Sequence, residues 1–199
     1  MKVFLPVFLS FVLGIFSMGF QLLGSRMLNP WFGSSIIVWA FIISIFLAAF
    51  SAGSILGGLL VRLPNPRRFR AVWAVGLLAI IGFGICSIFS GAILAGIDAW
   101  APPLPVALAL ALACGSLFFL PVCGLSALTP LLIQRVSESG QPAGFASGLI
   151  YSVNTLGNIA GIMLTAFVLI PSFPVSSLLS LWVVCLSFVL MLVLKCLRA

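Results

Sequence analysis

Eleven charged side chains punctuate this sequence, nine lysines and arginines and two acids. Between them lie long runs with no charge at all: 3–25, 27–61, 71–97, 99–134 and 139–194. Such runs suit a bilayer, because a helix crossing the hydrocarbon needs ~20 mostly apolar residues. A chain that is 63% hydrophobic and 6% charged has too little polar surface to cover a soluble domain. It reads as an all-α, polytopic integral membrane protein whose first partner is the lipid bilayer.

The breaks divide residues 1–199 into a single six-helix transmembrane domain. Helices are predicted near 3–28, 34–60, 71–97, 104–134, 144–170 and 174–194, separated by Asn29-Pro30, RLPNPRRFR, APPLP, SESGQPAG and PSFP. These stops are short, so neighbouring helices should be antiparallel. The first span lacks a small-x-small cleavage site and runs past the usual signal-peptide length, so it is expected to be retained. Small-residue segments in the second and fifth spans, SAGSILGG and NTLGNIAG, suggest a three-plus-three repeat resembling half of a major-facilitator fold.

Charge then sets orientation. With a cytoplasmic amino terminus, Lys2, Arg62, Arg67, Arg68, Arg70, Arg135, Lys195 and Arg198 fall on one side and Arg26 alone on the other. Eight against one is a strong positive-inside bias. Both termini are therefore expected in the cytoplasm of a cell whose inner membrane holds the protein, with Arg62, Arg67, Arg68 and Arg70 as the main topology signal. The net charge of +7 flanks spans instead of forming a patch, so no nucleic-acid partner is expected. Trp31, Phe32, Trp39 and Trp100 belong near the outer boundary, where amphipathic rings settle.

Polar residues inside the spans are the candidate site. Gln21, Ser25 and Arg26 end the first helix, with Gln21 and Ser25 one turn apart on one face. Arg26 has two readings, a headgroup anchor that any cation could supply or a binding group that uses its planar guanidinium. Asn154 and Asn158 share a face near mid-membrane and should point into the bundle, since lipid cannot satisfy an amide. They fit interhelical hydrogen bonding or a polar cavity. Gly53 with Gly57, and Gly157 with Gly161, are helix-packing pairs. Pro121 and Pro130 mark the fourth span as a candidate for kinking.

Other chemistry is excluded by residue type. The chain has no histidine, its five cysteines lie in or beside apolar segments, and no carboxylate lies within a span. No metal, cofactor, proton-relay or catalytic constellation can be assembled from these residues, and no enzymatic activity is expected of the chain itself.

QLLGSRMLNPWFGSSIIVW, FLPVCGLSALTPLLIQR and YSVNTLGNIAGIMLTAFVLIP together resemble the membrane half of the fused major-facilitator/spermidine synthase-like family. Gln21, Arg26, Leu28, Pro30, Phe32, Gly33, Ser34 and Ser35 match its first motif. Pro121, Gly124 and Pro130 approximate the second, and Asn154, Thr155, Gly157 and Gly161 meet the third. The family's soluble aminopropyltransferase-like domain has no counterpart in these residues, and the RLPNPRR loop lacks the aspartate of major-facilitator inner loops. The resemblance implies a six-helix fold and association with a synthase-like partner. Two functions follow: a non-catalytic membrane subunit that anchors or organises a partner, whether another protein, a synthase-like enzyme or a second copy, or a transporter-like domain that binds a small polar or anionic solute.

Overall fold

The computed structural model describes residues 3–100 and 105–198 of the chain. Among them are six helices long and apolar enough to cross a membrane. They are α1 (Phe4–Phe32), α2 (Ile36–Val61), α3 (Asn65–Trp100), α4 (Val106–Ser137), α5 (Ala143–Ser172) and α6 (Val175–Arg198). The protein is a multi-pass membrane protein with no strand among the described residues.

Two expected boundaries move. Asn29-Pro30 does not stop α1: Pro30 withdraws the donor from the Arg26 carbonyl and crowds it, but it does so in the final turn, with two helical residues left to run. The helix ends at Gly33, whose φ of 71° belongs to a region that glycine enters freely. In the RLPNPRRFR segment, Asn65 opens α3, so Arg67, Arg68 and Arg70 lie on its first turns and not in a loop. That end of the bundle also receives residue 3, the 138–142 turn and residue 198; it is called the N-terminal end below, and the other the far end.

Helices α1 and α5 form one close pair, and α2 and α4 a second. Glycines make both possible. A β-carbon on Gly157 or Gly161 would run into the carbonyls of Phe11 and Ile15, and one on Gly53 or Gly57 into those of Cys123 and Ala127. Exchanging α1 with α4 and α5 with α2 therefore maps one pair of notches onto the other, residue for residue. The match continues between them: Ser126, donating to the Phe50 carbonyl at 2.8 Å, stands where Gly14 faces the Asn154 carbonyl. Because α1 and α4 run in opposite directions, this is the pairing of an inverted three-plus-three repeat. The third pair, α3 with α6, maps onto itself and closes the back, where a β-carbon on Gly76 would strike the Leu190 side chain.

Phe20, Phe46, Phe83 and Phe118, almost wholly buried, meet at the centre. The Phe20 ring lies 4.4, 5.6 and 5.9 Å from those of Phe83, Phe118 and Phe46. At the N-terminal end, Glu138 lies 3.8 Å from Arg68 and 3.5 Å from Arg135, and accepts from the Gln134 amide at 2.9 Å. This joins the start of α3 to the turn after α4.

Both lipid-spanning irregularities precede a proline. The π-turn Gly115–Phe119 ends two residues before Pro121, and Thr165–Leu169 ends two before Pro171. A proline cannot serve the carbonyl four residues behind it. The Leu117 carbonyl freed by Pro121 instead accepts from the Cys86 thiol of α3 at 2.8 Å. Pro130, by contrast, sits inside regular α-helix. Of the two prolines expected to disturb the fourth span, only Pro121 accompanies a change of helical pitch.

Candidate functional site

Two clefts contain four of the five polar residues singled out in the sequence. The first, about 190 Å³, lies among α1, α2, α4 and α5 and is lined by Ser17, Ser54, Ser126, Thr129, Tyr151, Asn154 and Asn158 over a floor that includes Leu13, Phe50 and Leu125. At ~1.5 Å per residue these polar groups lie ~11–23 Å from the N-terminal end of the bundle, near the middle of the membrane. Every polar group in the lining is neutral.

Helix pairing explains why the asparagines end up there. Gly157 and Gly161 bring α5 against α1, which fixes the adjacent face of α5 toward the cleft. Asn154 then donates its amide to the Ser10 carbonyl at 2.9 Å, while Ser10 donates its hydroxyl to the Ile150 carbonyl at 2.9 Å. Both bonds lie on one side of the Gly157 notch, within two turns of it. Asn158 sits beside Gly14, with its Oδ1 buried and without a hydrogen-bond partner. Its counterpart under the repeat is Ser54, whose hydroxyl lies 3.1 Å from that of Ser126. The cleft thus gathers equivalent positions from both halves around their exchange axis.

Tyr151, 51% exposed, stands at the cleft's open side. Next to it on the exposed flank of α5 are Ser152 and Thr155. The Thr155 hydroxyl donates to the Tyr151 carbonyl at 2.8 Å, which meets its own need within the helix.

The second cleft, about 300 Å³, is at the far end between α1, α2 and α5. Ser25, Arg26, Asn29, Gly33 and Ser34 form its outer wall, and Leu22, Val38, Trp39, Ala166 and Ile170 its deeper one. Ser25 spends its hydroxyl proton on the Leu22 carbonyl at 2.8 Å. Ser35 caps α2 by accepting from the Val38 amide at 3.3 Å.

The predicted cluster of Gln21, Ser25, Arg26, Asn154 and Asn158 is therefore two sites. Arg26 and Ser25 belong to the far-end cleft, the asparagines to the central one, and Gln21, half-buried, lines neither. The aromatic cluster separates them, since Phe20 follows Ser17 along α1 and precedes Ser25. Sequence reasoning passed over Ser17, Ser54 and Tyr151. The GxxxG offset pointed at Ser54, because it follows Gly53 as Asn158 follows Gly157. No group of three or more His, Cys, Asp or Glu side chains among the described residues could hold a metal ion, and the five cysteines are free thiols. Compared with known protein families, curated proteins and solved structures, the chain matches none.

Proposed function

We propose that the chain is a non-catalytic membrane subunit that organises a partner protein inside the bilayer, its N-terminal end facing the cytoplasm. The observation that carries this reading is the central cleft. It places two amides, four hydroxyls and a phenol at mid-membrane depth on an open side of the bundle. Acyl chains offer such groups nothing, and their exposure to lipid is costly. A protein surface laid over α2 and α5 would bury Tyr151 and close the open side of the cleft. The motifs that resemble the membrane half of spermidine synthase-like proteins support a partner of that kind, a membrane half joined to an enzyme.

A transporter-like reading rests on the same cleft seen from a solute's side. About 190 Å³ of neutral hydroxyl and amide lining suits a small polar molecule, enclosed between the bundle and whatever covers it. A photo-crosslinking residue at Tyr151 tests the shared premise, with Ile88, 74% exposed on α3, as the lipid-facing control. The expected result is a defined protein adduct from position 151 and none from 88, and differently tagged copies show whether the partner is a second copy. Lipid adducts alone from both positions overturn the reading.

A further inference from the structure

The far-end cleft carries a site that the partner reading does not use. Among the described residues, Arg26 is the only charged one in its lining. Asp98, the acid expected at the same end, is on α3, which contributes nothing to the cleft. The protein thus supplies this cleft with a cation and no anion, so an anion seated there comes from outside. We propose that this cleft binds a phosphate ester, held as the headgroup of a phospholipid in the leaflet at the far end.

Three features of the lining select that chemistry. The guanidinium presents paired N–H donors in a plane that matches two oxygens of one phosphate, a fit that an ammonium cannot reproduce. Asn29, three residues on along the same helix, adds an amide N–H₂, and Ser34, past the turn at Gly33, adds a hydroxyl-bearing side chain to the same lining. That turn requires Gly33, whose φ of 71° brings the chain back so that Ser34 and Arg26 share one cleft.

Polarity also changes with depth. Along α1, Leu22 precedes Ser25, Arg26 and Asn29; along α2, Val38 and Trp39 lie a turn deeper than Ser34. The upper wall is polar and the lower wall apolar, with Ala166 and Ile170 of α5 completing the latter. A free phosphate would use only the first. A phospholipid uses both, its headgroup against Arg26, Asn29 and Ser34 and the start of its acyl chains against Leu22, Val38 and Ile170. Arg26 lies ~33 Å along α1 from Phe4, the depth of a headgroup.

Native mass spectrometry of the full chain in detergent tests this with three probes: dioleoyl phosphatidylglycerol, dioleoylglycerol with the same chains and no phosphate, and inorganic phosphate. Phosphatidylglycerol should be retained at one per chain, and Arg26→Gln should weaken its binding by about tenfold or more, the scale of a lost charge-assisted hydrogen bond. Arg26→Lys, which keeps the charge and removes the fork, should recover only part of that loss. Arg62→Gln, on the exposed end of α2 opposite, should leave it unchanged. Dioleoylglycerol should bind weakly and without regard to Arg26. Equal retention of phosphatidylglycerol by parent, Arg26→Gln and Arg26→Lys overturns the proposal, as does retention of dioleoylglycerol as strongly as the phospholipid. Arg26-dependent stabilisation by inorganic phosphate without phospholipid retention overturns the lipid seat and assigns the cleft to a free anion. If Arg26→Gln fails to insert, the lysine variant decides by itself.

Discussion

Replacing Gly157 with alanine probes the contact on which the bundle depends. A β-carbon there would collide with the Phe11 carbonyl oxygen and stand 2.9 and 3.1 Å from that residue's carbonyl carbon and Cα. All three are backbone atoms, so α1 must retreat by about 1 Å to regain ordinary contact. The Asn154–Ser10 and Ser10–Ile150 bonds, each 2.9 Å, span the same gap and would stretch beyond ~3.6 Å, where they no longer count as hydrogen bonds. Overpacking costs ~1–3 kcal/mol and each interhelical bond ~0.6 kcal/mol in a membrane protein. The sum is ~2–4 kcal/mol of lost stability. Alanine's helix propensity works the other way, and Gly148→Ala measures that term: it is on the same helix and its β-carbon would meet nothing within 4 Å. It should be neutral or stabilise by up to ~1 kcal/mol. Reversible unfolding in mixed micelles, followed by tryptophan fluorescence, reads both variants. If Gly157→Ala falls within ~0.5 kcal/mol of Gly148→Ala, the close approach of α1 and α5 is wrong.

The repeat predicts that Gly53→Ala, which drives a β-carbon into the Cys123 carbonyl, costs as much as Gly157→Ala in the same assay, and a harmless Gly53→Ala would contradict the notch-for-notch equivalence. The two asparagines should separate: Asn154→Leu loses the bond to Ser10 and ~0.6–1 kcal/mol, whereas Asn158→Leu removes an unpaired buried oxygen and should leave the isolated chain equally or more stable. Destabilisation by both alike would mean that Asn158 has a partner within the chain. For orientation, Ala99→Cys should react with an impermeant thiol reagent from outside the cell while Asn65→Cys is protected, and neutralising Arg67, Arg68 and Arg70 together should mix the two orientations; the reverse labelling pattern refutes a cytoplasmic N-terminal end. Glu138→Gln should cost under ~1 kcal/mol, because the acid is 37% exposed and its pairs with Arg68 and Arg135 are 3.8 and 3.5 Å long, and the difference should vanish at high salt.

Much of this was legible because a bilayer is a stern solvent. Spans had to be apolar and long, so six were readable from charge spacing together with the proline- and glycine-bearing breaks, and amides inside them had to turn toward protein, as Asn154 does with Ser10. Ends were harder. Helix continuation through Pro30 and the start of α3 at Asn65 depend on which backbone groups lose a partner at a terminus, and composition does not record that. The pairing of helices was half visible, since each GxxxG announced a close neighbour without saying which one. Depth along the helices put Arg26 at the headgroups and Asn158 nearer the midplane, in separate clefts; which face of the bundle the asparagines line was fixed only when α5 met α1. The π-turn before Pro171 went unnoticed because the proline was read as a stop between helices.

The crossed pairing of α1 with α5 and α2 with α4 also has a consequence during synthesis. Neither three-helix half contains its own closest partner, so the first half leaves the ribosome with its notches empty. The carbonyls of Phe11 and Ile15, and the Ser10 hydroxyl, wait for a helix that begins at Ala143. Until then α1 is inserted but unmatched, and it is exposed to wrong neighbours or to insertion-site chaperones. Folding cannot proceed half by half: the α2–α4 seam can close once the fourth span is made, but the α1–α5 seam must await the fifth, a late, long-range step.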